Sequence, residues 1–458
     1  MPTEYFEQRE RALLGPRYAQ LYAAPQQTAE RGVTVSALRT TPEQFAQRAD
    51  FPLEPSPFCK AAFVVHQPDF KPGRHPYHHA GVFYSQEPSA SSAAPLLGVQ
   101  PGMRVLDLCA APGGKSSQLA AALQGRGVLV SNEYVAARAE ILKSNLERMG
   151  VSNAVVLNET PARIAEALPE FFDRVLVDAP CSGEGMFRKE PAALAQHCEA
   201  LVKQCAELGA DILDSAAAAL APGGELVYST CTFAPEEDEG QVAAFLQRHP
   251  EFTLADVLGN ADHPFGSEGE ANRTGGLPLD VSKVRRIWPC QGGEGHFMAK
   301  LRKSPDAPAA VSKRTKPARP PKPCAEWLAF AAEYFPALKE QSAQAAGERL
   351  FLPPQGWQGE GLKLSIARCG VTLGRAQKGR FEPDHHLFMA FGPECENREE
   401  LTLNDPRTEA WLRGEEIEAV TAKNGWCAVL VDGLPLGGGK VSGDRVKNHY
   451  PKALRNLK

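Results

Sequence analysis

The chain has 458 residues, a length that predicts about three domains rather than one core. Hydrophobic residues make up 43% of it and charged residues 23%, a globular composition that excludes a wholly disordered protein. The formal net charge of -5 excludes a uniformly basic nucleic-acid binder, although it is compatible with a local basic patch.

Neither export nor membrane insertion is predicted. The first 11 residues are polar and carry three glutamates instead of the apolar run of a signal peptide. No run of about 18 apolar residues occurs, so we expect a cytoplasmic protein without a membrane span. The 11 cysteines include no Cys-x-x-Cys pair, and His66, His75, His78 and His79 fit no standard zinc spacing. We therefore predict reduced thiols and no metal site.

The elements in chain order predict a mixed N-terminal part followed by an α/β core. An early helical stretch, 6–22, leads into a segment with many prolines. Beyond residue 100, short apolar runs alternate with helical patterns, which is typical of a mostly parallel sheet. The predicted strands are 103–109, 127–132, 154–157, 174–178 and 225–229, and the predicted helices are 115–123, 136–149 and 192–220.

A boundary follows at 303–324. This run holds six prolines and six Lys or Arg residues against one Asp, so it cannot build a core and is predicted to be an extended basic linker. A smaller, glycine-rich unit is expected beyond it, with strand-like pieces at 362–369 and 426–431.

A glycine loop lies between the first predicted strand and its helix, in VLDLCAAPGGKSSQLAAAL (105–123). Gly113 and Gly114 allow the backbone to approach a ligand closely. Glu133 follows Gly114 by 19 residues, the spacing at which an acid binds ribose hydroxyls in doubly wound folds. The pattern favours an adenosine-type cofactor, and it matches neither the dinucleotide nor the P-loop signature. A structural turn without a ligand remains the alternative.

Two cysteines follow the ends of two other predicted strands. One strand ends at Asp178 and Cys181 comes shortly after it, while the other leads directly to Cys231. Ligands in open parallel sheets bind at the carboxyl ends of strands, so both thiols are expected to face one crevice beside Asp178. The alternative is that each cysteine is a small buried hydrophobe.

These segments resemble the Sun-type family of S-adenosylmethionine-dependent RNA cytosine-5 methyltransferases. GVFYSQEPSA (81–90), GEGHFMAKL (293–301) and GLPLGGGKVSGDRVKNHYPKALR (433–455) extend the resemblance over nearly the whole chain. It implies an α/β, Rossmann-like methyltransferase core with an N-terminal α+β extension and a C-terminal PUA-like β-rich domain. The implied parts are an RNA-binding extension (1–95), the catalytic domain (96–302), the linker (303–324), an intermediate domain (325–385) and the PUA-like RNA-binding domain (386–458).

The resemblance also implies roles for single residues. Cys231 would be the nucleophile, Cys181 would assist its release, and Asp178 would hold the Watson–Crick edge of the base close to the methionine end of the cofactor. The residues implied to bind S-adenosylmethionine are Cys109, Ala110, Ala111, Pro112, Gly113, Gly114, Lys115, Glu133 and Asp178. Family members often place an Asp after the third strand, where this chain has Thr160 with Glu159 beside it. Thr160 is therefore only a positional candidate for contact with the adenine.

The implied reaction is methylation of carbon 5 of a cytosine in 16S ribosomal RNA, with RNA or the small ribosomal subunit as partner and a monomer as the expected state. The last 26 residues, 433–458, hold six Lys or Arg residues against one Asp and suit contact with RNA, with Tyr450 available for stacking. A solvated tail is the alternative for that segment. A tRNA cytosine-5 methyltransferase and a non-catalytic RNA-binding protein of ribosome assembly remain alternatives for the whole chain.

Overall fold

The computed structural model describes residues 2–21, 31–67, 69–308, 324–359 and 361–456. Most of the predicted basic linker falls on residues 309–323 and lies outside the described residues, as does residue 22 at the end of the first predicted helix. No helix within the described ranges is long and apolar enough to cross a bilayer.

The N-terminal unit is an antiparallel sheet in the order β2-β3-β1-β4 with short helices around it. Thr3 caps the first helix by accepting a hydrogen bond from the backbone of Phe6, and Thr41 with Gln44 forms a capping box at the third. The elements are α1 (Glu4–Leu14), α2 (Tyr18–Leu21), β1 (Gly32–Val35), α3 (Pro42–Arg48), β2 (Leu53–Pro55), β3 (Ala62–Val65), α4 (Pro76–His79) and β4 (Phe83–Ser85).

The central unit is a large sheet with helices on both faces. Its helices are α5 (Ala93–Leu96), α6 (Gly114–Leu123), α7 (Ala136–Arg148), α8 (Pro161–Ala167), α9 (Pro191–Gln196), α10 (Glu199–Ala219) and α11 (Glu239–Arg248). Its strands are β5 (Arg104–Asp107), β6 (Val128–Asn132), β7 (Ala154–Leu157), β8 (Phe172–Asp178), β9 (Leu220–Thr230), β10 (Phe252–Ala255), β11 (Ser267–Glu268), β12 (Arg285–Ile287) and β13 (His296–Lys303).

The predicted parallel sheet is confirmed. Strands β7, β6, β5, β8 and β9 lie side by side in that order and pair in parallel, and β13 adds antiparallel to β9. The chain runs outward from β5 in one direction and then returns to its other side at β8. Such a reversal opens a crevice above the carboxyl ends of the strands, which is where ligands bind in open α/β sheets.

The single helix predicted at 192–220 is wrong. His197 adopts an extended conformation between α9 and α10, and Leu220 already belongs to β9. The ring of His197 is held from both sides, by the Oγ1 atom of Thr3 at 2.7 Å and by a carboxylate oxygen of Glu184 at 2.8 Å. Thr3 is 194 residues away and Glu184 is 13 residues away, and together they fix the ring at the break between the two helices.

The residues after the linker build two further sheets and lend one strand to the central sheet. The predicted piece at 362–369 provides β16, which pairs antiparallel with β7 at the edge of the large sheet. The smaller sheets have the orders β14-β15-β17-β18 and β19-β21-β22-β23-β20. The elements are α12 (Ala325–Tyr334), β14 (Gln344–Ala346), β15 (Arg349–Leu352), β16 (Ile366–Cys369), β17 (Val371–Gln377), β18 (Arg380–Pro383), α13 (His385–Phe391), β19 (Arg398–Leu401), α14 (Pro406–Arg413), β20 (Ile417–Glu418), β21 (Gly425–Val431), β22 (Leu434–Ser442) and β23 (Arg445–Asn448).

The N-terminal sheet and the last sheet share one hydrophobic core. Val33 and Phe83 belong to the same buried cluster as Trp411 and Val429. Polar contacts seal the junction, including a 2.7 Å hydrogen bond between the ring of His79 and the hydroxyl of Tyr450. The two ends of the chain are therefore packed as one body.

We expect Trp411→Ala to loosen both ends of the chain together. The side chain is fully buried, so its truncation should cost about 3–5 kcal/mol. Hydrogen–deuterium exchange should speed up in β1 and β21 alike and stay unchanged in β5 to β9. Val420→Ala, at a 64% exposed position of the same sheet region, is the control. Faster exchange confined to residues 398–448 would show that the core is not shared.

Candidate active site

The predicted glycine loop connects β5 to α6 at the carboxyl end of the sheet. Gly113 has a φ of 116°, which suits glycine, and it precedes the first turn of α6. A side chain at Gly114 would collide with that of Gln86 from the N-terminal unit. Helix α7 holds the loop from the other side, because Asn145 donates to the Pro112 carbonyl at 2.8 Å. The residues predicted to bind the cofactor at 109–115 therefore lie on one rigid connection.

Two carboxylates stand at neighbouring strand ends beside this loop. Glu133, predicted from its spacing, follows β6 and accepts a hydrogen bond from the Val135 backbone at 2.8 Å. Asp107, which the sequence reasoning did not single out, ends β5. One of its oxygens accepts from Ser116 at 2.7 Å, and the other is buried without a hydrogen-bond partner among the described residues. Burial raises the pKa of Asp107 to about 7.

Thr160 and Glu159 are both engaged in local structure. The hydroxyl of Thr160 caps α8 by accepting from the Arg163 backbone at 3.3 Å. The carboxylate of Glu159 accepts from the backbone of Ser365 at 2.7 Å and pairs with Arg163 at 3.0 Å. Thr160 thus serves α8, and Glu159 fastens the segment that leads into β16.

Asp178, the last residue of β8, is held by charged and polar groups from two other strand ends. Lys115 from the glycine loop lies 2.8 Å from one oxygen of the carboxylate, and Ser229 of β9 donates to the other at 2.7 Å. Burial by itself would raise the pKa of Asp178, but Lys115, His296 and the hydroxyl of Ser229 together outweigh it, and the pKa lies below its usual value. Asp178 is therefore ionised at neutral pH.

The two predicted cysteines meet. The Sγ atoms of Cys181 and Cys231 are 3.3 Å apart, and both thiols are free. The hydrogen bond to Cys231, together with burial, raises the pKa of Cys181 well above its usual range. Cys181 therefore stays a thiol at neutral pH, and its S–H is available as a donor in the contact with the sulfur of Cys231. The alternative, that each cysteine is a small buried hydrophobe, does not fit two sulfurs in contact on residues that are only partly buried.

His296 completes the crevice and was not predicted as a site residue. It begins β13, and its Nε2 atom lies 3.9 Å from an oxygen of Asp178. The side chain is 3% exposed, and Nε2 has no hydrogen-bond partner within the described part of the chain. Its only sequence signal is a polar residue within an otherwise apolar strand start, GHFMA.

Helix α1 supports the loops that carry both cysteines. Arg9 lies 2.7 Å from the carboxylate of Glu184, three residues after Cys181. The same carboxylate accepts from the backbone of Phe233, two residues after Cys231. His197 and Arg9 outweigh the effect of burial and lower the pKa of Glu184 to about 2. A buried, ionised carboxylate therefore ties the N-terminus to both cysteine loops.

No metal site was predicted for the histidines of the N-terminal unit. Three of them contact three different side chains. His66 pairs with Glu54 at 2.7 Å and His75 with Asp50 at 2.9 Å, while His79 contacts Tyr450. Across the part of the chain that the structure describes, no three His, Cys, Asp or Glu side chains are grouped to hold an ion.

Arg9→Gln should lower the stability of the protein by about 3–5 kcal/mol, because it leaves the carboxylate of Glu184 buried without its cation. Arg11→Gln on the same helix is the matched control, since Arg11 pairs with Glu7 at the surface. Chemical denaturation followed by tryptophan fluorescence measures both variants. The double variant with Glu184→Gln should recover part of the loss, and equal effects at the two arginines would contradict the supporting role of α1.

Family models match four consecutive parts of the chain. Residues 94–302 match 16S rRNA methyltransferase RsmB/F. The other matches are the N-terminal domain of 16S rRNA methyltransferase RsmF at 1–88, the RsmF rRNA methyltransferase first C-terminal domain at 329–391 and the methyltransferase RsmF PUA domain at 398–456. The predicted Rossmann-like methyltransferase core with a C-terminal PUA-like domain is thereby confirmed.

Individual proteins agree with the family models. Ribosomal RNA small subunit methyltransferase F of Serratia proteamaculans is 31% identical, over 94% of this chain and 91% of its own length. The protein of the same name from Shewanella amazonensis is 33% identical over 88% and 86%. A solved structure of a methyltransferase homolog from Pyrococcus horikoshii is 29% identical, with a TM-score of 0.58, and covers 66% of this chain and 95% of that one. The chain therefore belongs to the 16S rRNA methyltransferase RsmB/F family.

Proposed function

We propose that this protein transfers a methyl group from S-adenosylmethionine to carbon 5 of a cytosine in 16S ribosomal RNA. Family membership makes the chain an S-adenosylmethionine-dependent methyltransferase that acts on ribosomal RNA. The choice of carbon 5 rests on one observation, the 3.3 Å contact between the sulfurs of Cys181 and Cys231 next to the ionised Asp178. Methylation of an exocyclic amine needs no thiol.

The residues of the crevice fit the cofactor. S-adenosylmethionine, when bound, supplies a methyl group activated by a positively charged sulfur. The carboxylate of Glu133 suits the ribose hydroxyls, and the unpartnered buried oxygen of Asp107 suits the ammonium group of the methionine part. Burial raises the pKa of Cys109, which therefore stays a thiol and lines the loop without competing as a nucleophile.

Cys231 is the nucleophile of the proposed reaction. Carbon 5 of cytosine is a poor nucleophile until a thiolate adds to carbon 6, after which the ring behaves as an enamine. The carboxylate of Asp178, kept ionised by Lys115, accepts hydrogen bonds from the Watson–Crick edge and favours protonation of the ring nitrogen. The thiol of Cys181 donates to the attacking sulfur and holds it in position.

Release requires three bonds to break after methylation. The proton on carbon 5 leaves to solvent, and its electron pair re-forms the double bond between carbons 5 and 6. The bond between carbon 6 and Cys231 breaks with its electron pair going to sulfur, and the ring nitrogen gives up the proton that it took during the attack. The departing thiolate is stabilised by the S–H of Cys181, which the raised pKa keeps protonated. The products are 5-methylcytosine, the demethylated cofactor and one proton.

The basic C-terminal segment, expected to contact RNA, is built into a sheet and is not the solvated tail of the alternative interpretation. Residues 434–448 form β22 and β23, and Tyr450, expected to stack on RNA, is buried. Trp426 of β21 instead carries Lys440 over its ring at 5.6 Å and His449 at its edge. An aromatic side chain with a neighbouring cation suits a nucleic-acid backbone and an unstacked base.

Bisulfite sequencing of total RNA tests the proposed function and separates it from its two alternatives. Cells without the gene should lose at least one 5-methylcytosine in 16S ribosomal RNA and regain it with the wild-type chain. Loss confined to transfer RNA would favour the tRNA methyltransferase. Unchanged methylation of both RNAs would favour a non-catalytic RNA-binding protein of ribosome assembly.

Cys231→Ala should reduce methylation to background while the affinity for S-adenosylmethionine stays near that of the wild type, because Cys231 contacts the base and not the cofactor loop. Transfer of tritiated methyl groups and calorimetric titration measure the two quantities. Cys205→Ala on α10 serves as the matched control. Retained turnover in the Cys231 variant would refute its role as nucleophile.

Cys181→Ala should trap the enzyme on its RNA, because the variant lacks the S–H donor that helps the thiolate of Cys231 to leave. We expect a protein–RNA band that survives a denaturing gel and is absent from the double variant with Cys231→Ala. Loss of activity without such a band would contradict the division of roles between the two thiols.

A further inference from the structure

His296 is a polar side chain to which the proposed mechanism assigns no role. Its Nε2 atom is buried, has no hydrogen-bond partner among the described residues and lies 3.9 Å from Oδ1 of Asp178. A buried polar atom in a native site is expected to have a partner, so one without a protein partner indicates a ligand group. The distance is too long for a direct hydrogen bond and leaves a gap between two polar atoms.

Strand register places His296 on the same side of the site as the reacting groups. Phe297 pairs with Thr230 across β13 and β9, so His296 stands at the level of Cys231, where β9 ends. Residues directly opposite each other in an antiparallel pair share one face of the sheet. Ser229, which donates to Asp178, lies on that face as well. His296 therefore faces the crevice beside Asp178, on the side where the target base is proposed to bind.

The surroundings of His296 indicate which of its nitrogens accepts. Burial and the nearby Lys115 lower the pKa of His296 to about 4, so the ring is neutral at physiological pH. The backbone of Gly295 favours a proton on the ring, and because Nε2 has no partner, that proton is assigned to Nδ1. Nε2 then presents a lone pair, next to a carboxylate oxygen that only accepts.

We propose that Nε2 of His296 and Oδ1 of Asp178 together accept the two hydrogens of the exocyclic amine of the target cytosine, which makes His296 a specificity residue. Cytosine presents an NH₂ donor at this edge, whereas uracil presents a carbonyl oxygen. Each of the two acceptors can take one hydrogen of the cytosine amine. The carbonyl of uracil at the same place would bring three acceptors together with no hydrogen to share. This inference rests on the proposed cytosine-5 methylation.

The matched variants are His296→Phe, which keeps an aromatic ring but removes the acceptor, and His296→Gln, whose amide oxygen reaches about as far as Nε2. The RNA probe is 16S ribosomal RNA with either cytosine or pyrimidin-2-one at the position mapped by bisulfite sequencing, used both naked and reconstituted into small subunits. Pyrimidin-2-one lacks the exocyclic amine and is otherwise the same ring. The measured quantity is kcat/KM for methyl transfer on each substrate.

The two substrates react at different intrinsic rates, so the comparison is made between enzymes as a mutant cycle. His296→Phe should lose about tenfold on cytosine, the value of one hydrogen bond, and change little on pyrimidin-2-one. His296→Gln should restore most of the loss on cytosine. Cofactor affinity, measured by calorimetry, should stay at the wild-type value in both variants.

Equal losses on the two substrates would show that His296 only supports the fold and would overturn the inference, as would full activity of His296→Phe on cytosine. Failure of the proposed function has a different signature. In that case the wild-type enzyme makes no 5-methylcytosine on either form of the RNA, before any variant is compared.

Discussion

The site depends on the interactions that the carboxylate of Asp178 makes with its neighbours. It gathers a lysine from the glycine loop, a hydroxyl from β9 and the imidazole at the start of β13, so three separate strand ends are oriented toward one point. An ionised carboxylate at a partly buried position is costly unless cations and donors surround it. The same donors keep the carboxylate ionised. Its charge then determines which groups of a base can donate hydrogen bonds to it.

The reacting thiols depend in turn on parts of the chain far from the sheet. Glu184 lies just behind Cys181 and is held by Arg9, while Arg273 bridges Glu10 of the same helix and the carbonyl of Phe233. The first helix thus adds a brace to two loops that also contact each other directly, through the hydroxyls of Ser182 and Thr232 at 2.7 Å. At the other end of the chain, the last sheet completes the hydrophobic core of the N-terminal sheet. The contacts with α1 and between the two loops hold the cysteine sulfurs 3.3 Å apart without a covalent link.

The positions of the candidate residues could be predicted where those residues follow strand ends. The glycine loop, Glu133, Asp178 and the two cysteines each come directly after an apolar run, and the carboxyl ends of parallel strands necessarily share one edge of the sheet. Prediction from sequence failed where contacts between distant residues decide the local structure. The helix predicted at 192–220 is divided at His197, whose ring is held between Glu184 and Thr3. Thr160 caps a helix, and its contact with the adenine stays a prediction.

By itself the sequence determined the alternation of strands and helices, the turn that glycine permits at residue 113, and the position of each thiol at the end of a strand. These features are set by neighbours along the chain, through periodicity and backbone conformation. Only the tertiary structure decided that α1 braces the cysteine loops, that β16 joins the central sheet and that His296 lies beside Asp178. Those contacts join residues separated by more than a hundred positions, and they form because burial of distant surfaces brings polar groups together that no local pattern relates.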